Sequence, residues 1–217
     1  MGSGAVTVAG VRGDVGDAAG DGGGHADDEP LVAAARAGDR RSFRELYLRH
    51  LDDVYARMTR IIGPVAERDD LVQQVFIDVH QALPRFRGEA RFSTFLHRIT
   101  INVAYEHLRR RRRSDDRNLQ LADDELDRLV AVGASPEARA AEREELARVF
   151  QHLAALKPKL RIAFVLVAIE GMPLADAAEL VGAERDTVKQ RVLNARRALS
   201  ERLARLDRAA ARAGGSR

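Results

Sequence analysis

Cysteine is absent from the 217 residues, which excludes a disulfide framework and thiolate chemistry and permits a reducing compartment. Long apolar runs are missing as well. None approaches the roughly 20 residues that span a bilayer, and no basic segment followed by a hydrophobic core opens the chain, so no membrane insertion is expected. The histidines, His25, His50, His80, His97, His107 and His152, lack a close ligand spacing such as HxxxH, and there is no P-loop. A covalent-thiol enzyme is excluded, no metal site is expected, and each histidine reads as a satisfied surface or core residue.

Net charge is only +3, but it is segregated. Residues 14–29 hold six acids and no Lys or Arg, whereas residues 85–113 hold nine arginines against Glu89 and Glu106. Residues 115–145 carry ten acids against four arginines, and residues 183–212 carry nine bases against four acids. Two basic modules flank an acidic connector, a pattern that fits a polyanion touched at two places better than uniformly solvated surface.

Apolar residues recur at helical spacing through most of the chain, so the expected fold is all-α: two small helical domains joined by a flexible acidic linker. Residues 1–28 are Gly-, Ala- and Asp-rich, without periodicity, and read as a disordered tail. A first unit over 29–113 begins with a short helix closed by Gly38, after which Asp39 can cap a longer helix ended by Gly63 and Pro64. The next helix, about 67–83, buries Leu71, Val72, Val75, Phe76, Val79 and Leu83. Its polar side carries Asp70, Gln73, Gln74, Asp78 and Gln81 at steps of three or four, either a docking strip or a solvated surface.

Residues 86–113 join a glycine-containing loop, an amphipathic helix and a run of arginines. Phe95, Leu96, Ile99, Val103 and Leu108 form its apolar stripe, which leaves Arg98, Asn102, Tyr105 and Arg109 in one arc on the other side. Guanidiniums suit phosphates, a carboxamide can read a base edge, and a ring can stack on an unpaired base. A solvated face with a basic end that favours the helix dipole is the plainer alternative.

Residues 114–140, with their acidic run and Gly133–Pro136 break, read as the linker with one transient helix. A second unit over 141–207 begins with a helix over 142–156 and a core helix over 160–170, and residues 208–217 read as a second tail. Its last two helices, over 174–181 and 185–208, flank the Gly182 turn, the pattern of a helix-turn-helix. Val188, Val192, Ala195, Leu199, Leu203 and Leu206 form the buried stripe of the last helix, and Lys189, Gln190, Leu193 and Arg197 face away. In a recognition helix Gln190 can pair with adenine, Leu193 can meet a thymine methyl, and Lys189 and Arg197 can hold phosphate or guanine.

DDLVQQVFIDVHQALPRFRGEARFSTFLHRITINVAYEHLRRRRR (residues 69–113) and GMPLADAAELVGAERDTVKQRVLNARRALSERL (residues 171–203) resemble the two conserved domains of bacterial extracytoplasmic-function sigma factors. The resemblance implies promoter-directed delivery of core RNA polymerase, with contacts to the β′ clamp helices and the β flap, by a cytoplasmic protein that is not an enzyme and has no cofactor and no catalytic residue. It makes Asp70, Gln73, Gln74 and Asp78 candidate core-binding residues, with Gln74 standing where an acid is usual. It implies that the loop at Phe86 and Arg87, with Arg98, Asn102, Tyr105 and Arg109, holds the unpaired −10 element, Asn102 reading a flipped base. Phe95 and His97 stand where Trp and Tyr are common. Lys189, Gln190, Leu193 and Arg197 would read the −35 element, and an anti-sigma factor is an implied partner. The competing class is a helix-turn-helix regulator that acts without core polymerase; a third is a helical adaptor that meets only proteins.

Overall fold

The computed structural model describes residues 28–113, 121–130 and 135–214. Among these residues there are nine α-helices and no strand. The expected tail over 1–28 lies outside the described residues save for Asp28, where α1 (Asp28–Arg36) begins. The Asp39 carboxylate accepts from the amides of Arg41 and Ser42, which starts α2 (Arg40–Ile62) with two of its orphan donors satisfied. Together with α3 (Arg68–Ala82) and α4 (Phe92–Arg113), α2 builds the first core: Leu46, Val54, Met58 and Ile62 against Val72, Val75, Val79, Leu96 and Val103. Each such side chain contributes about 1.5–3 kcal/mol by leaving water. Asp28 helps to seal this core, its carboxylate meeting His50 Nε2 at 2.8 Å and accepting from Arg49 at 3.0 Å.

In the second half, α6 (Pro136–Ala154) begins before the expected position 142. Ser135 accepts from the Ala138 amide and Pro136 occupies the first turn, so the Ser-Pro pair expected as linker starts a helix instead. α7 (Pro158–Phe164) passes into a π-helical segment, Val165–Ile169, closed by Gly171 at φ 70°. α8 (Leu174–Leu180) and α9 (Arg185–Gly214) are joined through Gly182, whose φ of 59° favours glycine. Val188, Val192 and Ala195 are buried as expected and Leu199 is half-buried. Leu203 and Leu206 are not: they are 39% and 48% exposed, because α9 runs on after its neighbours have ended.

The two halves close on each other. Ile162, Ala163, Val165 and Leu166 belong to the same apolar cluster as the α2–α4 core. The Glu170 side chain, 8% exposed, accepts from Arg57 at 2.9 Å and Arg60 at 3.4 Å, both on α2. Part of the acidic connector is docked as well. α5 (Asp123–Asp127) buries Leu126, and the turn after it buries Val130, against Leu146 of α6, and the Ala122 amide donates to the Pro64 carbonyl at 2.9 Å. Arg68, 2% exposed, reaches Glu125 of α5 while donating to Thr59 Oγ1 at 3.0 Å and lying 4.1 Å from the Tyr55 ring centroid.

One buried cation is poorly matched. Arg161 is 2% exposed, its Nε and Nη2 find no acceptor, and burial followed by the Arg111 charge pushes its guanidinium down to about 9. His107, packed on the same side of α4, is likewise held below its ordinary value, first by burial and then by Arg111. A lowered folded value means that the unfolded chain binds the proton more tightly. The stability that neutral His107 contributes is present above the unfolded value of 6.5 and is lost as pH falls through the folded one. Thermal unfolding should therefore shift to lower temperature between about pH 7.5 and pH 5.5, and His107→Gln should flatten that dependence. His152, lowered first by burial and then by the Arg202 charge, acts with the same sign.

Candidate nucleic-acid interface

α4 presents the first face. Arg98, Asn102 and Arg109 are exposed along it, as the period requires, and Arg109 pairs with Glu106 at 2.7 Å in a surface contact of little stability value. Tyr105 differs: it is half-buried against the core cluster, so only part of its ring is open to a ligand. Arg98 is engaged, donating to the main-chain carbonyl of Glu179 at 3.3 Å near the C-terminal end of α8. Before α4 the chain turns through Gly88 at φ 76°, with Arg87 84% exposed. Phe86 lies 4.7 Å from Phe95 and 6.4 Å from Phe92 between ring centroids, which ties the loop to the helix. The last turn of α4 is four arginines, placed where the helix dipole favours positive charge.

The second face is on α9. Lys189, Gln190, Leu193 and Arg197 are all exposed, with Gln190 donating to Asn194 Oδ1 at 3.1 Å and Leu193 47% exposed. Ala178, 6% exposed, lets α8 approach α9 closely, and Val188 and Val192 hold the opposite face of α9 in the core.

α3 carries the third surface. Asp70, Gln73 and Gln74 are exposed and Asp78 half-exposed, and Gln74 donates to Asp78 Oδ1 at 2.7 Å. Beside this strip runs an apolar groove between α2 and α3, lined by Phe43, Tyr47, Phe76, Ile77 and His80. Helical spacing alone did not reveal that groove. Its one signal was Ile77, an isoleucine on the polar side of α3 and 48% exposed here. Among the described residues no group of His, Cys, Asp or Glu could hold a metal ion, and no helix is long and apolar enough to cross a membrane.

The family model for Sigma-70 region 2 matches residues 46–114, which include α3 and α4, and that for Sigma-70, region 4 matches residues 146–199, which include α8 and the exposed face of α9. The RNA polymerase sigma-H factor of Pseudomonas aeruginosa is 35% identical over 181 residues, covering 81% of this chain and 93% of that protein. The chain belongs to the extracytoplasmic-function sigma factors. It directs RNA polymerase to promoters, and a helix-turn-helix regulator working without polymerase is not favoured. The ECF RNA polymerase sigma-E factor of Escherichia coli is 29% identical over 180 residues, covering 81% of this chain and 94% of that one. Among solved structures, CnrH in complex with the cytosolic domain of CnrY aligns at a TM-score of 0.56 and 29% identity over 82% of this chain and 97% of that one. The sigma factor RpoE of Bartonella quintana, solved with the anti-sigma factor NepR, aligns at 0.51 and 23% identity over 76% and 98%, a likeness of fold alone.

The exposed positions of this sigma factor separate cleanly from its core. Asn102→Ala should change unfolding free energy by less than about 0.5 kcal/mol, whereas Leu96→Ala, on the same helix but fully buried, should cost about 2–5 kcal/mol. Urea unfolding of the two variants checks the contrast.

Proposed function

We propose that the three surfaces divide the work of initiation: the α3 strip and its apolar groove dock on the β′ clamp helices of core polymerase, α4 and its preceding loop hold the unpaired −10 element, and α9 reads the −35 element. The observation that carries this reading is the pair of exposed faces on α4 and α9, one bearing Asn102 between arginines and the other bearing Gln190 and Leu193 between bases. Gln190 and Leu193 suit the major groove of duplex DNA. The Phe86 loop and Asn102 suit bases that have left the stack, so capture of those bases favours melting without covalent chemistry. The protein acts as a cytoplasmic initiation factor rather than an enzyme, with the β flap as a second polymerase contact. An anti-sigma factor is the further partner proposed. The α3 strip and the neighbouring groove are exposed in the free protein and offer it a surface, and the relative CnrH is held by the cytosolic domain of CnrY.

Asp70→Arg with Asp78→Arg should weaken capture by a β′ clamp fragment at least tenfold, since two attractive charges become repulsive, with circular dichroism unchanged. Unaltered capture would remove α3 from the core interface. Asn102→Ala should slow open-complex formation on duplex promoter by an amount equivalent to about 1–3 kcal/mol, read by permanganate footprinting of holoenzyme. Gln190→Ala with Leu193→Ala should weaken binding only where the upstream element is present. A normal bubble with Asn102→Ala would show that this side chain reads no base.

A further inference from the structure

Three side-chain nitrogens lie buried without a partner where α4 meets α7, and none of them belongs to the surfaces assigned above. Arg161 of α7 is 2% exposed, and its Nε and Nη2 make no hydrogen bond. His107 of α4 is 9% exposed, and its Nε2, a donor in one of the two neutral tautomers, is equally unmatched. The charges of Arg161 and Arg111 both reach His107, and that of Arg111 reaches Arg161, so the three groups share one small volume between the helices. His107 and Arg111 are four residues apart and project from the same face of α4.

The other buried arginines of this chain meet carboxylates, Arg68 at Glu125 and Arg57 at Glu170. Arg161 meets none among the described residues. Glu67 is the acid that acts on His107, but it is exposed and its influence ranks behind burial and Arg111. Burial and Arg111 together hold Arg161 down to about 9, with no acid to offset them. Water accepts hydrogen bonds but offsets no charge, whereas an oxyanion does both. The geometry of the donors selects among anions. Nε and Nη2 form one edge of the guanidinium, whose two parallel N–H bonds grip two oxygens of a single group, a match that a halide lacks. A tetrahedral oxyanion keeps a further oxygen for His107 Nε2, and the second charge on Arg111 favours a dianion over a monocarboxylate. Arg111 is half-buried in the last turn of α4, so the cluster borders the surface and a small ion has a short path to it.

We propose that Arg161 Nε and Nη2, with His107 Nε2 and beside the Arg111 guanidinium, bind one small dianionic oxyanion, inorganic phosphate, at the α4–α7 junction. The ion supplies there the opposite charge that Glu125 and Glu170 supply to the other buried arginines. Its occupation stabilises the folded chain, because the unfolded chain holds no such arrangement of donors. Neither Asn102, nor Gln190, nor the α3 strip contributes a group to it, so the site stands whether or not the initiation reading does.

Thermal unfolding of the full chain in potassium phosphate, compared with potassium gluconate at the same pH and ionic strength, reads occupation directly. The parent should gain about 4 °C or more by about 20 mM phosphate and then level off, sulfate should act alike, and acetate should give less than about a third of the shift. Arg161→Met should lose the saturating shift while melting in gluconate no lower than the parent, since a buried unmatched cation has gone, a result that a merely structural arginine would not give. Arg161→Lys, which keeps the charge but not the parallel edge, should weaken phosphate binding in calorimetric titration by about tenfold. Arg112→Gln with Arg113→Gln, at the exposed end of α4, should keep the parent's shift. No saturating shift in the parent would overturn the site. So would an equal shift in Arg161→Met, because phosphate would then be held by surface arginines or act as an excluded solute. Unchanged affinity in Arg161→Lys would overturn it as well, whether or not Arg161→Met folds.

Discussion

A charged group taken out of water must meet its opposite at close range or be destabilised, and that constraint decides how the halves of this sigma factor meet. Glu170 is 8% exposed and sits against Arg57 and Arg60; Arg68 is 2% exposed and sits against Glu125. In both pairs the arginine belongs to the α2–α3 unit and the acid to a later segment of the chain. Apolar burial of Ile162, Val165 and Leu166 supplies the attraction between the halves, but it is not directional. The ion pairs fix where the second half sits on the first, and so place α8 close enough for Glu179 to occupy Arg98.

The faces of the helices were legible because the helical period reports orientation. Val72, Val75 and Val79 are buried and Asp70, Gln73 and Gln74 are exposed, as spacing alone required. Partners across the chain were not legible, because periodicity says which way a side chain points and not what it will meet. Arg68 shows both sides of this. It lies four residues before Val72 and on the same stripe, so an arginine at an apolar position was a visible anomaly, yet nothing local pointed to Glu125, 57 residues on. Leu203 and Leu206 fail for the opposite reason: their stripe continues after the surface that would cover it has ended. The Ser135–Pro136 pair reads as a break, although serine before proline is also a helix start, and the cap on the Ala138 amide shows which applies.

Rigid helices carry the exposed faces, and this matters for recognition. Asn102 is held by buried neighbours Ile101, Val103 and Ala104 on the same turn, so its carboxamide projects from a backbone that cannot easily yield. Lys189 and Gln190 come directly after Val188, and Leu193 after Val192, so the α9 face is anchored in the same way. The loop before α4 takes its order from ring contacts among Phe86, Phe92 and Phe95 rather than from a regular backbone. A base that entered there would compete with those contacts, which makes the loop the adaptable part of an otherwise fixed surface.

The segregated charge acquires a structural meaning from these placements. Acids of the connector that looked like a solvating run are engaged by named arginines: Glu125 by Arg68, Asp123 and Asp127 by Arg143. Among the described residues none of these three pairs involves an arginine of the α4 or α9 faces. They tie the connector to the α2–α3 corner and to α6. Arg161 works the other way: its burial with two nitrogens unmatched, beside Arg111, destabilises the closed packing of the halves. An equilibrium balanced in this way moves with modest differential binding, since a factor of ten in population needs only about 1.4 kcal/mol. Only a ligand that binds the open arrangement more tightly than the closed one can move it, and by no more than that difference.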